Sequence, residues 1–346
     1  MSTLRRLTVV AAVIAAAAVG AAAAGARALE RPLRAEIAIP PAAIPDRVLA
    51  VHSSAAAMLP VGAWGGEQTA ATGERMTIYA SARYDQDAAE LQRWADFLSG
   101  LIHGSELAEL TVYLAPPNEV ARFCGAAAAA CYGSAAADSL LVASGEDLPD
   151  GTSAEAVVTH EYGHHIAAHR NNAPWTAVDW GTKRWATYVG VCAGARAGRF
   201  FPGDEAAHYT FNPGEDFAET YRVLNARRAG IPEIPWEVVD SSLYPDDTAL
   251  SLVEQDVTQP WTVATMTTLT GSATHTFSIA TPLDGTLKVT LRAPARSRLR
   301  LRLGGSAVTT ATAATLSSTV CGSRSTKVAV TRLSGRGTYR LTVSKP

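Results

Sequence analysis

His160–Glu161–Tyr162–Gly163–His164 sets two imidazoles four residues apart, with a carboxylate next to the first. On an α-helix, four residues advance about 6 Å and leave about 40° of net rotation. Both imidazoles then share a face and can reach one metal ion. Glu161 stands beside His160 and can point at a water on that ion, the general-base position of a metal-dependent hydrolase. The predicted metal is Zn²⁺. A catalytic zinc takes three protein ligands and leaves its fourth position to water or substrate. Two histidines supply two, so the third must come from elsewhere.

A histidine six residues past His164 would complete one common arrangement, but that position is Arg170. His169 lies nine residues past His160, on the opposite side of the helix. His165 also leaves the ligand face. Both read as ordinary polar surface or local hydrogen bonds. A later carboxylate is the better candidate. Asn212–Pro213–Gly214–Glu215–Asp216–Phe217–Ala218–Glu219 opens a helix after a Pro-Gly turn. Glu215 and Glu219 are one turn apart and share a face. One can ligate zinc while the other hydrogen-bonds a ligand histidine. The competing reading is an acidic first turn that complements the helix dipole.

At these residues the chain resembles the gluzincin metallopeptidases, and among them the anthrax lethal factor-like peptidases. The resemblance rests on HEYGHH followed by EDFAE, two short motifs within residues 75–230. It implies that His160, His164 and Glu215 hold Zn²⁺, that Glu161 is the base, and that Glu219 supports a ligand from behind. It also implies a tyrosine that stabilises the oxyanion. That role falls on Tyr209, six residues before Glu215, with His208 as its rival.

Several elements must position these residues. Thr152–Ser153–Ala154–Glu155 matches a capping box and starts the helix that carries the first motif. Arg75–Ala80, Leu110–Ala115 and Ser139–Ala143 read as strands. Ser139–Ala143 is either the edge strand on which an extended peptide docks or an internal strand. Asp85–Leu101 is an amphipathic helix, with Leu91, Trp94, Phe97, Leu98 and Leu101 at helical spacing. Asn118–Phe123 is a short helix. Trp180, Trp185, Tyr188 and Phe200 lie between the two motifs, as core or as a wall of the substrate cleft. The expected fold is an α+β zincin-like catalytic domain over residues 71–230. A Pro-rich linker over 231–260 follows, with a short helix near Thr248–Asp256. Residues 29–70 have no clear period and read as an irregular arm or propeptide.

From Trp261 the text changes. Thr276–Ile279, Thr286–Leu291, Arg298–Leu303, Lys327–Thr331 and Thr338–Val343 read as strands of a small all-β sandwich over 261–346. Its closing Gly337–Thr338–Tyr339–Arg340–Leu341–Thr342–Val343 resembles bacterial pre-peptidase C-terminal domains. Residues 257–346 hold twelve Lys/Arg and one acid, Asp284, a net of +11 in a chain of −2 overall. In residues 296–302 arginines alternate with leucines. On a strand, Arg298, Arg300 and Arg302 share one face and Leu299, Leu301 and Leu303 the other. The arginine face is either a solvated exterior or an anion-binding stripe that docks on the acidic catalytic region or on an anionic cell-envelope polymer.

The first 28 residues read as an export signal: Arg5 and Arg6, an apolar Leu7–Ala24, then Ala26–Arg27–Ala28 as a cleavage site. An uncleaved anchor is the alternative. Four cysteines in an exported chain suggest two disulfides. Cys124 and Cys131 flank a short Ala-rich loop, which leaves Cys192 for Cys321; three pairings are open. Nothing indicates a phosphate loop, a redox cofactor or a serine triad. Nucleic acid is not an expected partner, since export and the acidic remainder oppose it. The expected function is a secreted zinc endopeptidase acting on protein or peptide. Two alternatives are a non-catalytic envelope-binding adhesin that uses the basic module and a zinc amidase acting on cell-wall cross-links.

Overall fold

The computed structural model describes residues 46–50, 54–126, 128–135, 138–231, 241–262 and 264–346. The export signal and the part of the arm before residue 46 lie outside them. Asp46 is followed by β1 (Val48–Ala50), α1 (Ala55–Met58) and β2 (Trp64–Thr69). β3 (Arg75–Ala80), α2 (Ala88–Gly100), β4 (Leu110–Ala115) and α3 (Pro117–Cys124) come next. β5 (Ala130–Ala135) and β6 (Asp138–Ser144) complete a six-stranded sheet of order β1-β5-β6-β4-β3-β2.

β3, β4 and β6 run parallel, β2 is antiparallel to β3, and β5 is antiparallel to β6 but parallel to β1. β6 is internal, between β5 and β4. That removes Ser139–Ala143 as a docking edge. Residues 29–70 are not irregular throughout either, because Trp64–Thr69 pairs with β3 along its whole length. Glycines at 65 and 66 had hidden that strand. An added Cβ on Gly65 would meet the Ile78 carbonyl oxygen at 2.3 Å, so the close approach of β3 requires glycine there.

α4 (Ala154–Ala168) carries HEYGH and packs on β5 and β6. It is buried on every side, so it shows no apolar stripe. Its cap is Ser153, whose Oγ accepts from the Ala156 N–H at 3.1 Å. The expected partner Glu155 instead pairs with Arg93 at 2.8 Å. β7 (Asn171–Asn172), β8 (Trp175–Thr176), α5 (Ala177–Trp180), α6 (Lys183–Val189) and α7 (Val191–Arg196) follow. Trp185, Tyr188 and Phe200 are buried in the main core, and Trp180 packs against it. These aromatics are core.

α8 (Pro213–Arg228) lies across α4. α9 (Asp247–Thr258) buries Leu250, Val253 and Val257 in the same core. Part of the expected linker is therefore structural; residues 232–240 lie outside the described residues. Pro245 and Pro260 bracket α9.

The C-terminal region is two antiparallel four-stranded sheets around their own core of Leu, Val and Tyr339. The strands are β9 (Thr265–Gly271), β10 (His275–Thr281), β11 (Gly285–Arg292) and β12 (Arg298–Leu303). β13 (Ser306–Thr310), β14 (Ala313–Val320), β15 (Arg324–Ser334) and β16 (Tyr339–Lys345) complete them. On β12, Leu299, Leu301 and Leu303 are buried and Arg298, Arg300 and Arg302 exposed. Cys124 bonds Cys131, and Cys192 at α7 bonds Cys321 after β14. The second bridge ties the mixed α/β region to the β region. Two disulfides fit an oxidising compartment. No helix among the described residues is long and apolar enough to cross a membrane.

Candidate metal centre

α4 and α8 meet at Gly163. A Cβ there would stand 2.7 Å from the Ala218 Cα and 3.0 Å from its carbonyl oxygen. The missing side chain lets the two backbones approach. His160 and His164 on α4 then face Glu215 and Glu219 on α8. Asn212 caps α8 by accepting from the Gly214 N–H at 3.1 Å, and Pro213 opens the helix. This fixes Glu215 in the first turn.

Four buried groups converge: Asp46, His160, His164 and Glu215, each with one donor atom within 4.8 Å of the others. Glu215 Oε2 lies 3.4 Å from His160 Nε2 and 3.2 Å from His164 Nε2. Asp46 Oδ2 lies 3.5 Å and 3.1 Å from the same two nitrogens. Donors about 2.0–2.1 Å from a tetrahedral Zn²⁺ are spaced by about 3.3 Å. The observed spacings match. The two carboxylates also draw positive charge to this point. Burial alone would lower both imidazoles, yet contacts with Asp46 and Glu215 hold both well above the usual histidine value. Burial raises Asp46, and its bonds to the two histidines outweigh that and hold it well below the usual carboxylate range. Two carboxylates and two imidazoles facing inward fit one divalent ion. The donor set fits zinc, and the chain by itself does not name the metal.

Glu161 is fully buried, and neither carboxylate oxygen has a hydrogen-bond partner among the described residues. Burial, then the charge of Asp46, pushes its carboxyl well above the usual range. A buried carboxylate without a partner is costly. Its place beside the donors is where a base for an attacking water is needed.

Glu219 supports the centre from behind. Its Oε2 lies 3.0 Å from His160 Nδ1, which turns Nε2 toward the donors. Arg222 Nε donates to both Glu219 oxygens at 2.9 Å. Burial raises Glu219, but the Arg222 charge and the His160 bond outweigh it and hold the carboxyl near about 2. Glu219→Gln is expected to weaken zinc affinity about 10–100-fold while the fold survives. Competition with a chromophoric chelator measures this, and unchanged affinity would remove Glu219 from the centre.

The Tyr209 hydroxyl lies 3.3 Å from Glu215 Oε2 and donates to Asp46 Oδ1. His208 points elsewhere. It stacks on Phe201 at 3.8 Å and holds Asp204 at 2.7 Å, so it has no place in the centre. His165 is buried, not surface: Nε2 meets the Glu106 carbonyl at 2.8 Å and Nδ1 meets the Tyr132 hydroxyl at 3.3 Å. Burial lowers it to about 3, so it is a neutral core histidine. His169 bonds the His165 carbonyl at 2.8 Å.

Sequence reasoning missed Asp46, 118 residues from His164 in sequence. It sits in a stretch without periodicity, and no local pattern marks it. Arg222 was legible only as the i+3 neighbour of Glu219.

No protein-family model and no characterised sequence matches the chain. A solved structure described as IMPa metallopeptidase from Pseudomonas aeruginosa aligns over 70% of this chain and 38% of its own, at 12% identity and TM-score 0.18. A family two carbohydrate esterase from Cellvibrio japonicus aligns over 24% of this chain and 35% of its own, at 14% identity and TM-score 0.13. A de novo designed double-stranded β-helix aligns over 23% of this chain and 96% of its own, at 14% identity and TM-score 0.19. Likenesses this distant leave the functional reading to the geometry of the centre.

Proposed function

We propose that this chain is an exported zinc endopeptidase of gluzincin type. The observation that carries the reading is the unpartnered, buried Glu161 carboxylate beside a metal-donor cluster. His160, His164 and Glu215 hold the ion. When bound, Zn²⁺ supplies a Lewis acid that acidifies water and polarises the scissile carbonyl. Glu161 takes the proton of the attacking water and returns it to the leaving amine. The Tyr209 hydroxyl, on the Glu215 side of the centre, donates a hydrogen bond to the developing oxyanion. Glu219 and Arg222 keep the His160 ring from turning.

Digestion of a mixed peptide library, with new termini read by mass spectrometry, tests this. It is run with the zinc-loaded intact chain and with Asp46→Ala, which vacates the fourth donor. Cleavage that a chelator abolishes and zinc restores is the expected result. Zinc-loaded, folded protein that cleaves nothing in either form would overturn the reading.

A second reading keeps the chemistry and changes the substrate to a cell-wall amide. The exposed row Arg298, Arg300 and Arg302 favours it, because envelope polymers are anionic. Release of amino groups from cell wall but not from protein would select it. Salt-sensitive wall binding without any cleavage would select the adhesin.

A further inference from the structure

β1 is the edge strand of the sheet and covers the outer side of β5, which packs beside α4. Val48, Leu49 and Ala50 lie parallel against Tyr132, Gly133 and Ser134. The Tyr132 N–H donates to the Arg47 carbonyl at 3.0 Å. This short strand places Asp46 over the centre. Asp46 does two things there. Its Oδ2 takes the fourth donor position, 3.1 Å from His164 Nε2 and 3.5 Å from His160 Nε2. Its other oxygen accepts from the Tyr209 hydroxyl, and its own N–H approaches that hydroxyl at 3.5 Å. One residue therefore engages both the metal position that substrate needs and the donor assigned to the oxyanion. Two residues on, the Val48 N–H donates to Glu205 Oε2 at 3.4 Å, and Asn212 at the α8 cap holds the other Glu205 oxygen at 2.9 Å.

A closed four-ligand zinc site is structural, and an open three-ligand site is catalytic. Here the two alternatives differ by one side chain, carried on a three-residue strand with one paired side. Asp46 is only 4% exposed, so it is seated rather than resting on the rim. The other three donors sit on two helices packed into the main core. The strand is the part that can leave at least cost.

We propose that Asp46 is a fourth metal donor delivered by the N-terminal segment, and that residues 46–50 form an internal plug that closes the centre to outside ligands until they are displaced or cut away. The plug rests on the reading of the cluster as a metal centre. An arriving peptide carbonyl must replace the Asp46 carboxylate, and an arriving strand must replace β1 on β5. The ion stays on His160, His164 and Glu215 when the plug withdraws.

The test loads the full chain, Asp46→Ala and the isosteric Asp46→Asn with Co²⁺, and follows the visible absorption as acetohydroxamic acid is added. The intact chain is expected to keep its bands, while Asp46→Ala shifts and binds hydroxamate about tenfold more tightly or better, since only the open fraction binds. Asp46→Asn, which keeps the shape and loses the charge, falls between and covers misfolding of the alanine variant. Equal hydroxamate titrations in all three proteins would overturn the plug. Failure of every form to bind Co²⁺ would sink the metal centre and the peptidase reading with it. Hydroxamate behaviour as expected, but with no peptide cleaved by any zinc-loaded form, would support the plug and reject the peptidase.

Discussion

Glu161→Gln is expected to lower kcat by about 10²–10⁴-fold while leaving metal content unchanged. The comparison is made in whichever of the intact chain and Asp46→Ala turns over faster. Glutamine has the same shape and cannot take a proton. Glu161 is fully buried, and neither of its oxygens has a hydrogen-bond partner among the described residues. The substitution therefore breaks no hydrogen bond within the protein, and stability should hold or rise, since a costly buried carboxylate is removed. The combination separates a base from a structural residue. Activity within about tenfold of the parent, at equal zinc content, would show that another group moves the proton.

Gly163→Ala should damage the protein through packing. Helix propensity alone favours alanine by about 0.8–1 kcal/mol. Against that, the new methyl would stand 2.7 Å from the Ala218 Cα and 3.1 Å from its Cβ. Carbon atoms pack at about 3.5–4.0 Å, and the obstacle is backbone rather than a side chain that can turn away. The clash wins, and a net loss of about 1–3 kcal/mol is expected. Function suffers more, because parting α4 from α8 moves His160 and His164 away from Glu215 and Glu219. Zinc affinity should fall with the melting temperature. Gly100→Ala is the control: a Cβ there meets nothing within 4 Å, so a change within about 0.5 kcal/mol is expected. Calorimetry and chelator competition on the two variants decide it. Wild-type stability and affinity in Gly163→Ala would mean that the close helix contact does not hold the centre together.

Legibility in the C-terminal region followed burial. The strands read from sequence, β11, β12, β15 and β16 among them, alternate apolar and polar residues because one face is buried. β9, β13 and β14 went unread. Each is a sheet edge, with Thr, Ser and Ala on faces that are exposed or half-buried. A strand with no dry face leaves no period of two. β2 escaped notice for a different reason, its paired glycines.

The same division runs through the centre. The sequence by itself determined a capped helix with two imidazoles and a carboxylate on one face, and a later helix with Glu215 and Glu219 a turn apart. Helical periodicity is local, so spacing alone sets which side chains share a face. Only the tertiary structure decided what the helices face. It turned His208 out against Phe201, brought the Tyr209 hydroxyl to Glu215, buried Arg222 behind Glu219 and seated Asp46 against the two histidines and Glu215 as a candidate donor. Those contacts join residues distant in the chain. They are fixed by the pairing of β1 with β5 and by two helix backbones meeting where Gly163 has no side chain, and neither is written in a local pattern.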